Sequence, residues 1–329
     1  MHGMMEVLMN RVWDTLETVG IPPSLLQKTR TGIFSCATKN FGGYTSYPDE
    51  TALRSSLNSG LSDRIAYFLG THGPTLAFET ACSSSLVALT LAMNAIRDGS
   101  CDTAIITAIN LANMEYELSL QATGVISNEG QCRPFADDAS GTLRCEGTAC
   151  VFVCSMEWAK QNGYSGIVKS LIVNSTIGSA GADPKAAQGS GRIYESPNVF
   201  GIAEMIRLCH KQVGLPLGNI SYVEAHATGT KVGDLVELES LGAVYRDSHD
   251  IQRNPLRVGS IKGNIGHAEV SAGLFSLIKA VEMIRARTFF PTGGRDITPR
   301  TDFDWAANNV QLCQEIEPFP LQQQCYIGV

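Results

Sequence analysis

The chain has 329 residues, of which 44% are hydrophobic and 17% charged, and its net charge is −7. This composition is too apolar for a disordered chain. No basic block suggests a nucleic-acid groove, and no apolar run approaches the roughly 18 residues that a membrane span requires.

Apolar β-branched runs alternate with longer helical stretches, which is typical of an α/β protein. In chain order, the patterns predict helices over residues 5–19, 61–69, 81–97 and 271–284, and strands over 75–81, 103–109, 150–154, 168–174, 220–225 and 257–260. The helix that begins at residue 81 has no charge before Arg97, so we expect it to be buried. The small-residue stretch 178–191 predicts a loop.

The N-terminus and the cysteines indicate a cytosolic protein. Residues 1–9 include Glu6 and lack the basic region and cleavage site of a signal peptide. The ten cysteines form no dense disulfide framework, and Cys145, Cys150 and Cys154 lack the Cys-x-x-Cys spacing of a zinc site. We therefore expect reduced, mostly buried thiols and no metal.

Three predicted strand ends carry reactive side chains, namely Cys82, His226 and His267. Each has a structural interpretation when it is taken alone, as does Asp234, which reads as a helix N-cap. Together they lie where α/β sheets place ligands, at the carboxyl ends of strands. A thiol before a helix is favoured as thiolate, and two imidazoles can donate hydrogen bonds to an oxyanion. The set therefore suits thioester chemistry.

Three segments resemble the active-site motifs of β-ketoacyl synthases, and the polyketide synthase type most of all. They are ETACSSSLVAL at 79–89, EAHATGT at 224–230 followed by Gly233-Asp234, and GSIKGNIGH at 259–267. Weaker matches lie at 13–17, 133–135 and 196–198. The resemblance covers nearly the whole chain.

The resemblance implies a thiolase-like α/β fold, in which two similar halves form five α-β-α-β-α layers. We place the halves of a single ketosynthase-like unit at residues 1–165 and 166–329. Family members usually have further residues before the helix that contains Trp13 and a Gly-rich loop after the segment that ends here. We therefore expect a fold that is incomplete at both termini.

The resemblance also implies the reaction and its residues. Cys82 would accept an acyl chain from a thioester, and His226 and His267 would assist decarboxylation of a malonyl-type extender. The product would be a β-ketoacyl thioester. Lys262 would place a positive charge near the site, and Glu269 would be its carboxylate partner.

Binding residues and partners follow from the same resemblance. Thr228 and Thr230 would hydrogen-bond the pantetheine arm, and Asn264 would support the site. The partner would be an acyl carrier protein whose phosphopantetheine delivers acyl and malonyl thioesters, and the chain would form a homodimer. No cofactor, nucleic acid or membrane is expected.

Two alternatives stay open. A fatty-acid ketosynthase would carry the same catalytic groups, although the three serines after Cys82 and the Gly233-Asp234 pair favour the polyketide type. A truncated, inactive synthase could act as a dimerisation or carrier-docking module. The presence of Cys82, His226 and His267 favours an enzyme. The stretch 177–194 departs from the usual loop of the family.

Overall fold

The chain groups into two units, each built on a four-stranded sheet. The structure is a computed structural model that describes residues 3–38, 59–112, 114–179, 198–293, 297–320 and 324–329. Unit 1 comprises Met1–Ala122, Arg144–Lys169 and Ala268–Phe275, and unit 2 comprises Thr123–Leu143, Ser170–His267 and Ser276–Val329. The division of the chain into halves at residue 165 stays a prediction.

Unit 1 has a mixed sheet with strand order β2-β1-β3-β4, in which only β4 is antiparallel to its neighbour. Its elements are α1 (Gly3–Val19), α2 (Pro23–Leu26), β1 (Thr31–Ala37), α3 (Ser59–Leu69), β2 (Thr75–Phe78), α4 (Ser84–Arg97), β3 (Thr103–Asn110), α5 (Met114–Ala122), β4 (Gly147–Cys154) and α6 (Met156–Gln161). Every residue of β1 and β3 is buried, as expected for parallel strands that are covered on both faces.

Unit 2 has a parallel sheet with strand order β10-β5-β6-β8 and a two-stranded sheet, β7-β9. Its elements are α7 (Val199–Val213), β5 (Ile220–Glu224), α8 (Lys231–Tyr245), β6 (Leu256–Gly259), α9 (Lys262–Ile265), β7 (Thr288–Phe289), β8 (Val310–Leu312), β9 (Glu317–Pro318) and β10 (Tyr326–Gly328). The helix α10 (Ala272–Ala286) begins in unit 1 and ends in unit 2.

Each unit has its own apolar core. In unit 1 the helices α1 and α3 pack on β1 and β3 through side chains such as Leu8, Ile33, Ile65 and Ile105, all at most 1% exposed. In unit 2 the core surrounds β5, β6 and α8. Among the described residues, none of the helices has the length and apolarity needed to cross a bilayer.

Most of the predicted elements are confirmed, with shifted ends. The strand predicted at 75–81 already ends at Phe78, and the following helix begins at Ser84. That helix is largely buried, as predicted, because its inward side includes Ala88, Leu89, Ala92 and Met93. The structure records no disulfide among the ten cysteines, all of which are described; four are fully buried.

The prediction of a strand over residues 168–174 is wrong. These residues form no regular element, and Leu171 is 65% exposed. An apolar alternating pattern produces a strand only where a neighbouring strand supplies backbone partners. The predicted loop at 178–191 and the divergent stretch 177–194 lie almost entirely outside the described residues.

The turn before β2 depends on a glycine. A Cβ on Gly73 would lie 2.3 Å from the Thr31 carbonyl oxygen and 2.6 Å from the Gly32 nitrogen, and backbone atoms cannot move aside cheaply.

We therefore expect Gly73→Ala to lower the free energy of unfolding by about 1–3 kcal/mol, as overpacking does. Gly166→Ala is the matched control, because a Cβ there meets nothing within 4 Å. Urea unfolding followed by circular dichroism measures both. Equal unfolding midpoints for the two variants would contradict the contact.

Candidate active site

Cys82 lies in a tight turn between β2 and α4 of unit 1. Ala81, immediately before it, has φ +51°, a left-handed conformation that non-glycine residues rarely adopt. The thiol is partly accessible and precedes the first turn of a 14-residue helix. The turn therefore places Cys82 at the positive end of the helix dipole, as the sequence predicts.

Of the three serines after Cys82, Ser83 and Ser84 hold this turn, and Ser85 contacts α10. Ser84 Oγ accepts the Thr80 amide at 2.8 Å and donates to the Ala81 carbonyl at 2.6 Å. Ser83 Oγ donates to the Thr80 carbonyl at 2.7 Å, and Ser85 Oγ accepts the amide of Leu274 at 3.2 Å. The serine hydroxyl groups are thus hydrogen-bond partners for backbone N–H and C=O groups of the turn, which no helix or sheet pairs.

Glu269 belongs to an ion-pair cluster of unit 1 around Arg144. Its carboxylate accepts the Arg144 Nε–H at 2.9 Å, and Arg144, whose side chain is 4% exposed, also pairs with Glu117 and stacks over Tyr116. Burial raises the pKa of Glu269, and the Arg144 charge opposes that rise. Within unit 1 the partner of Glu269 is thus Arg144, and its expected pairing with Lys262 stays a prediction.

The two predicted histidines come together within unit 2. The rings of His226 and His267 lie 5.4 Å apart, centroid to centroid, at an interplanar angle of 85°. His226 lies two residues after the end of β5, and His267 follows the short helix α9, where its amide donates to the Leu143 carbonyl at 2.6 Å. Segments about 40 residues apart in sequence thus converge because β5 and β6 are adjacent parallel strands.

Glu237 is a functional residue that the sequence analysis missed. Its two carboxylate oxygens accept the amides of His226 and Ala227, each at 2.7 Å. Burial raises the pKa of Glu237; the amides of Ala227 and His226 oppose that rise, and so does the positive charge of Lys262. Glu237, one helical turn beyond Asp234 on α8, is therefore the carboxylate that we find electrostatically coupled to Lys262. In the sequence, the i, i+3 spacing of Asp234 and Glu237 indicates that both carboxylates lie on the same face of a helix.

Lys262 also acts on His226. His226 is exposed, so that desolvation of its imidazole is limited, and the nearby Lys262 charge disfavours protonation and lowers its pKa. Lys262 itself is only 2% exposed. The His226 imidazole is therefore neutral at neutral pH, so that it carries one N–H and one lone pair.

Asp234 is not the N-cap that we predicted. The helix α8 is capped at Thr230, and Asp234 lies in its first turn with no exposed surface. Its two carboxylate oxygens accept the amides of Phe135 at 2.8 Å and Gly229 at 3.1 Å. Burial raises the pKa of Asp234 to about 7, and the two amide donors oppose the rise. Asp234 fixes the loop between His226 and α8.

The remaining predicted residues also belong to unit 2. Thr228 and Thr230 lie in the loop after His226, with their hydroxyl oxygens 3.3 Å apart, and both are half-buried. Asn264 is exposed on α9. Unit 2 thus contains six of the eight predicted site residues, and unit 1 contains Cys82 and Glu269.

Comparison with known proteins identifies the family. The family model of the β-ketoacyl synthase N-terminal domain matches residues 1–159, and that of the C-terminal domain matches residues 182–295. The chain belongs to the β-ketoacyl synthase family. Its relatives include a probable polyketide synthase of Dictyostelium discoideum, 32% identical over 98% of this chain, and the pikromycin polyketide synthase component PikAIII of Streptomyces venezuelae, 33% identical over 98%.

Solved ketosynthases confirm the thiolase-like α/β fold of this β-ketoacyl synthase. The oxazolomycin ketosynthase domain OzmH KS7 of Streptomyces albus is 28% identical, with a TM-score of 0.81 over 98% of this chain and 55% of that chain. The ketosynthase of module 6 of the bacillaene synthase from Bacillus subtilis is 26% identical, with a TM-score of 0.82 over 97% of this chain and 53% of that chain. The chain spans 11% and 20% of the two polyketide synthases named above.

The coupling between Lys262 and His226 is testable by titration. Because the Lys262 charge lowers the pKa of His226, we expect Lys262→Met to move the His226 titration midpoint upward, toward its usual range. NMR of the imidazole C–H resonance measures it, and His226→Asn assigns the signal. Lys211→Met, an exposed lysine of the same unit, is the control. An unchanged midpoint in Lys262→Met would contradict the coupling.

The role of Asp234 predicts a stability effect. Asn has one oxygen, so Asp234→Asn leaves one of the two amides facing an NH₂ group, and we expect a loss of about 1–3 kcal/mol in the free energy of unfolding. Asp247→Asn, whose carboxylate is 92% exposed, should change stability by less than about 0.5 kcal/mol. If both variants unfold at the wild-type urea midpoint, Asp234 does not fix the loop.

Proposed function

We propose that this chain is a ketosynthase of polyketide assembly, which joins a Cys82-bound acyl chain to a malonyl-type extender on an acyl carrier protein. The observation that carries the proposal is the pair of imidazoles of His226 and His267, whose ring centroids lie 5.4 Å apart. The Glu237 carboxylate accepts the His226 amide, and the Lys262 charge lowers the pKa of the His226 imidazole. The strained turn at Cys82 supports a nucleophilic role for the thiol.

In the first half of the reaction, the Cys82 thiolate attacks the acyl thioester carbon. The bond from that carbon to the pantetheine sulfur breaks, the pantetheine thiolate takes up a proton, and the acyl chain remains on Cys82. The helix dipole at α4 favours the thiolate that this step needs.

In the second half, the carboxylate of the malonyl thioester leaves as CO₂, and the electrons of the broken C–C bond form an enolate. N–H groups of His226 and His267 would donate to the enolate oxygen, which is where negative charge develops. The enolate carbon then attacks the Cys82 thioester, and the Cys82 thiolate leaves. The β-ketoacyl product stays on the carrier protein.

Partners and binding residues belong to the same proposal. Thr228 and Thr230, whose hydroxyls lie together after His226, would bind the pantetheine arm of the carrier protein. The chain would act as a homodimer; β2, which lies at an edge of the sheet of unit 1 with Leu76 44% exposed, offers a strand that a second copy could pair with. A cytosolic location stays a prediction from the sequence.

Two readouts test the proposal separately. Incubation with an acyl-pantetheine thioester followed by intact-protein mass spectrometry should show acyl transfer to the wild-type chain and to Cys154→Ala, and none to Cys82→Ala. His226→Ala and His267→Ala should acylate normally and lose malonyl decarboxylation by about 100-fold or more.

Three outcomes would contradict it. Acylation of Cys82→Ala would remove the nucleophile from the proposal, and full decarboxylation by both histidine variants would remove their roles. A folded wild-type chain that takes up no acyl group would favour the dimerisation or carrier-docking module. Comparing malonyl and methylmalonyl extenders on their carriers then separates polyketide from fatty-acid chemistry.

A further inference from the structure

A second polar cluster of unit 2 lies behind the histidines and is deeply buried. It consists of Tyr222 and Glu224 on β5 and Lys279 on α10, which are 0%, 2% and 7% exposed. Lys279 Nζ lies 2.7 Å from Glu224 Oε2 and donates to the Tyr222 hydroxyl oxygen at 3.0 Å. The Tyr222 hydroxyl in turn donates to Glu224 Oε2 at 2.9 Å.

Burying this ion pair is costly, and an apolar set of similar volume would often stabilise a fold equally well. One carboxylate oxygen of Glu224 forms its hydrogen bond outside the cluster. The second carboxylate oxygen, Glu224 Oε1, accepts the amide of Ile261 at 2.5 Å. Ile261 directly precedes Lys262, so that the carboxylate reaches from the strand of His226 to the loop of Lys262.

Side-chain oxygens accept hydrogen bonds from three successive backbone amides of that loop. The Ser260 amide donates to Thr292 Oγ1 at 3.0 Å, the Ile261 amide to Glu224, and the Lys262 amide to Ser260 Oγ at 3.3 Å. Packing adds to the restraint, because a Cβ on Gly259 would lie 2.4 Å from the Tyr222 hydroxyl oxygen. The position of Lys262 therefore depends on where Glu224 and Tyr222 sit.

We propose that Lys279 is a positioning residue of the ketosynthase site. Its ammonium group balances the charge of Glu224 and fixes Oε2, which leaves Oε1 directed at the Ile261 amide. This holds Lys262 where its charge acts on His226 and Glu237. The inference rests on the proposed function and adds to it a residue on a different element, about 50 residues beyond His226.

Lys279→Met tests the proposal, because methionine fills similar volume without a charge or a donor. We expect malonyl decarboxylation to fall about 10- to 100-fold in kcat, since small displacements of catalytic groups have effects of that size. The rate of Cys82 acylation should change less than about twofold, and the His226 titration midpoint should move upward as Lys262 moves away. Lys211→Met is the control.

A double variant separates charge balance from a general loss of packing. In Lys279→Met with Glu224→Gln, no unpaired charge is buried and the Gln oxygen can still accept the Ile261 amide. We expect decarboxylation to recover part of the loss and the His226 midpoint to move back. If Lys279→Met does not fold, Tyr222→Phe decides, because it removes one partner of Glu224 and keeps the ring.

Several results would overturn the proposal. One is wild-type decarboxylation and an unchanged His226 midpoint in Lys279→Met, or in Tyr222→Phe if that variant has to be used. Another is an equal fall of acylation and decarboxylation that follows the folded fraction, which would make Lys279 merely structural. A wild-type chain without acylation would refute the proposed function, and the His226 titration would still decide the positioning role.

Discussion

Three carboxylates bind backbone amides in and around the loops that leave β5 and β6, and the geometry of unit 2 depends on them. Glu237 binds the amides of His226 and Ala227, Asp234 those of Phe135 and Gly229, and Glu224 that of Ile261. Charge-assisted hydrogen bonds of this kind are shorter and stronger than neutral ones. They offset the cost of removing the carboxylates from water and fix irregular backbone that no sheet or helix holds.

The same carboxylates determine the electrostatics. Lys262 is the cation that acts on Glu237 and His226, and its charge favours the neutral form of His226. A neutral imidazole has one N–H, which can donate to a developing oxyanion. Loop geometry and protonation state are therefore set by one network, and a change in the loop alters both.

In unit 1 the reactive group is positioned by local contacts. Cys82 depends on a strained turn, with Ala81 at positive φ, that the hydroxyls of Ser83 and Ser84 stabilise locally. Such strain persists only where surrounding contacts determine the backbone. Neighbouring serines suffice here because the groups that need partners lie within four residues, whereas the loops of unit 2 need partners from distant parts of the chain.

The sequence by itself determined the family motifs, the thiolase-like α/β class and most of the helices and strands, because these depend on residue type and on periods of two or 3.6. It did not predict the partner of Glu269, the role of Asp234 or the importance of Glu237, since a carboxylate can pair with any cation or amide that the fold brings near. These depend on the tertiary structure, as does the conformation of residues 168–174, which pair with no strand among the residues that the structure describes. Periodicity is a local property, and the satisfaction of buried polar groups is not.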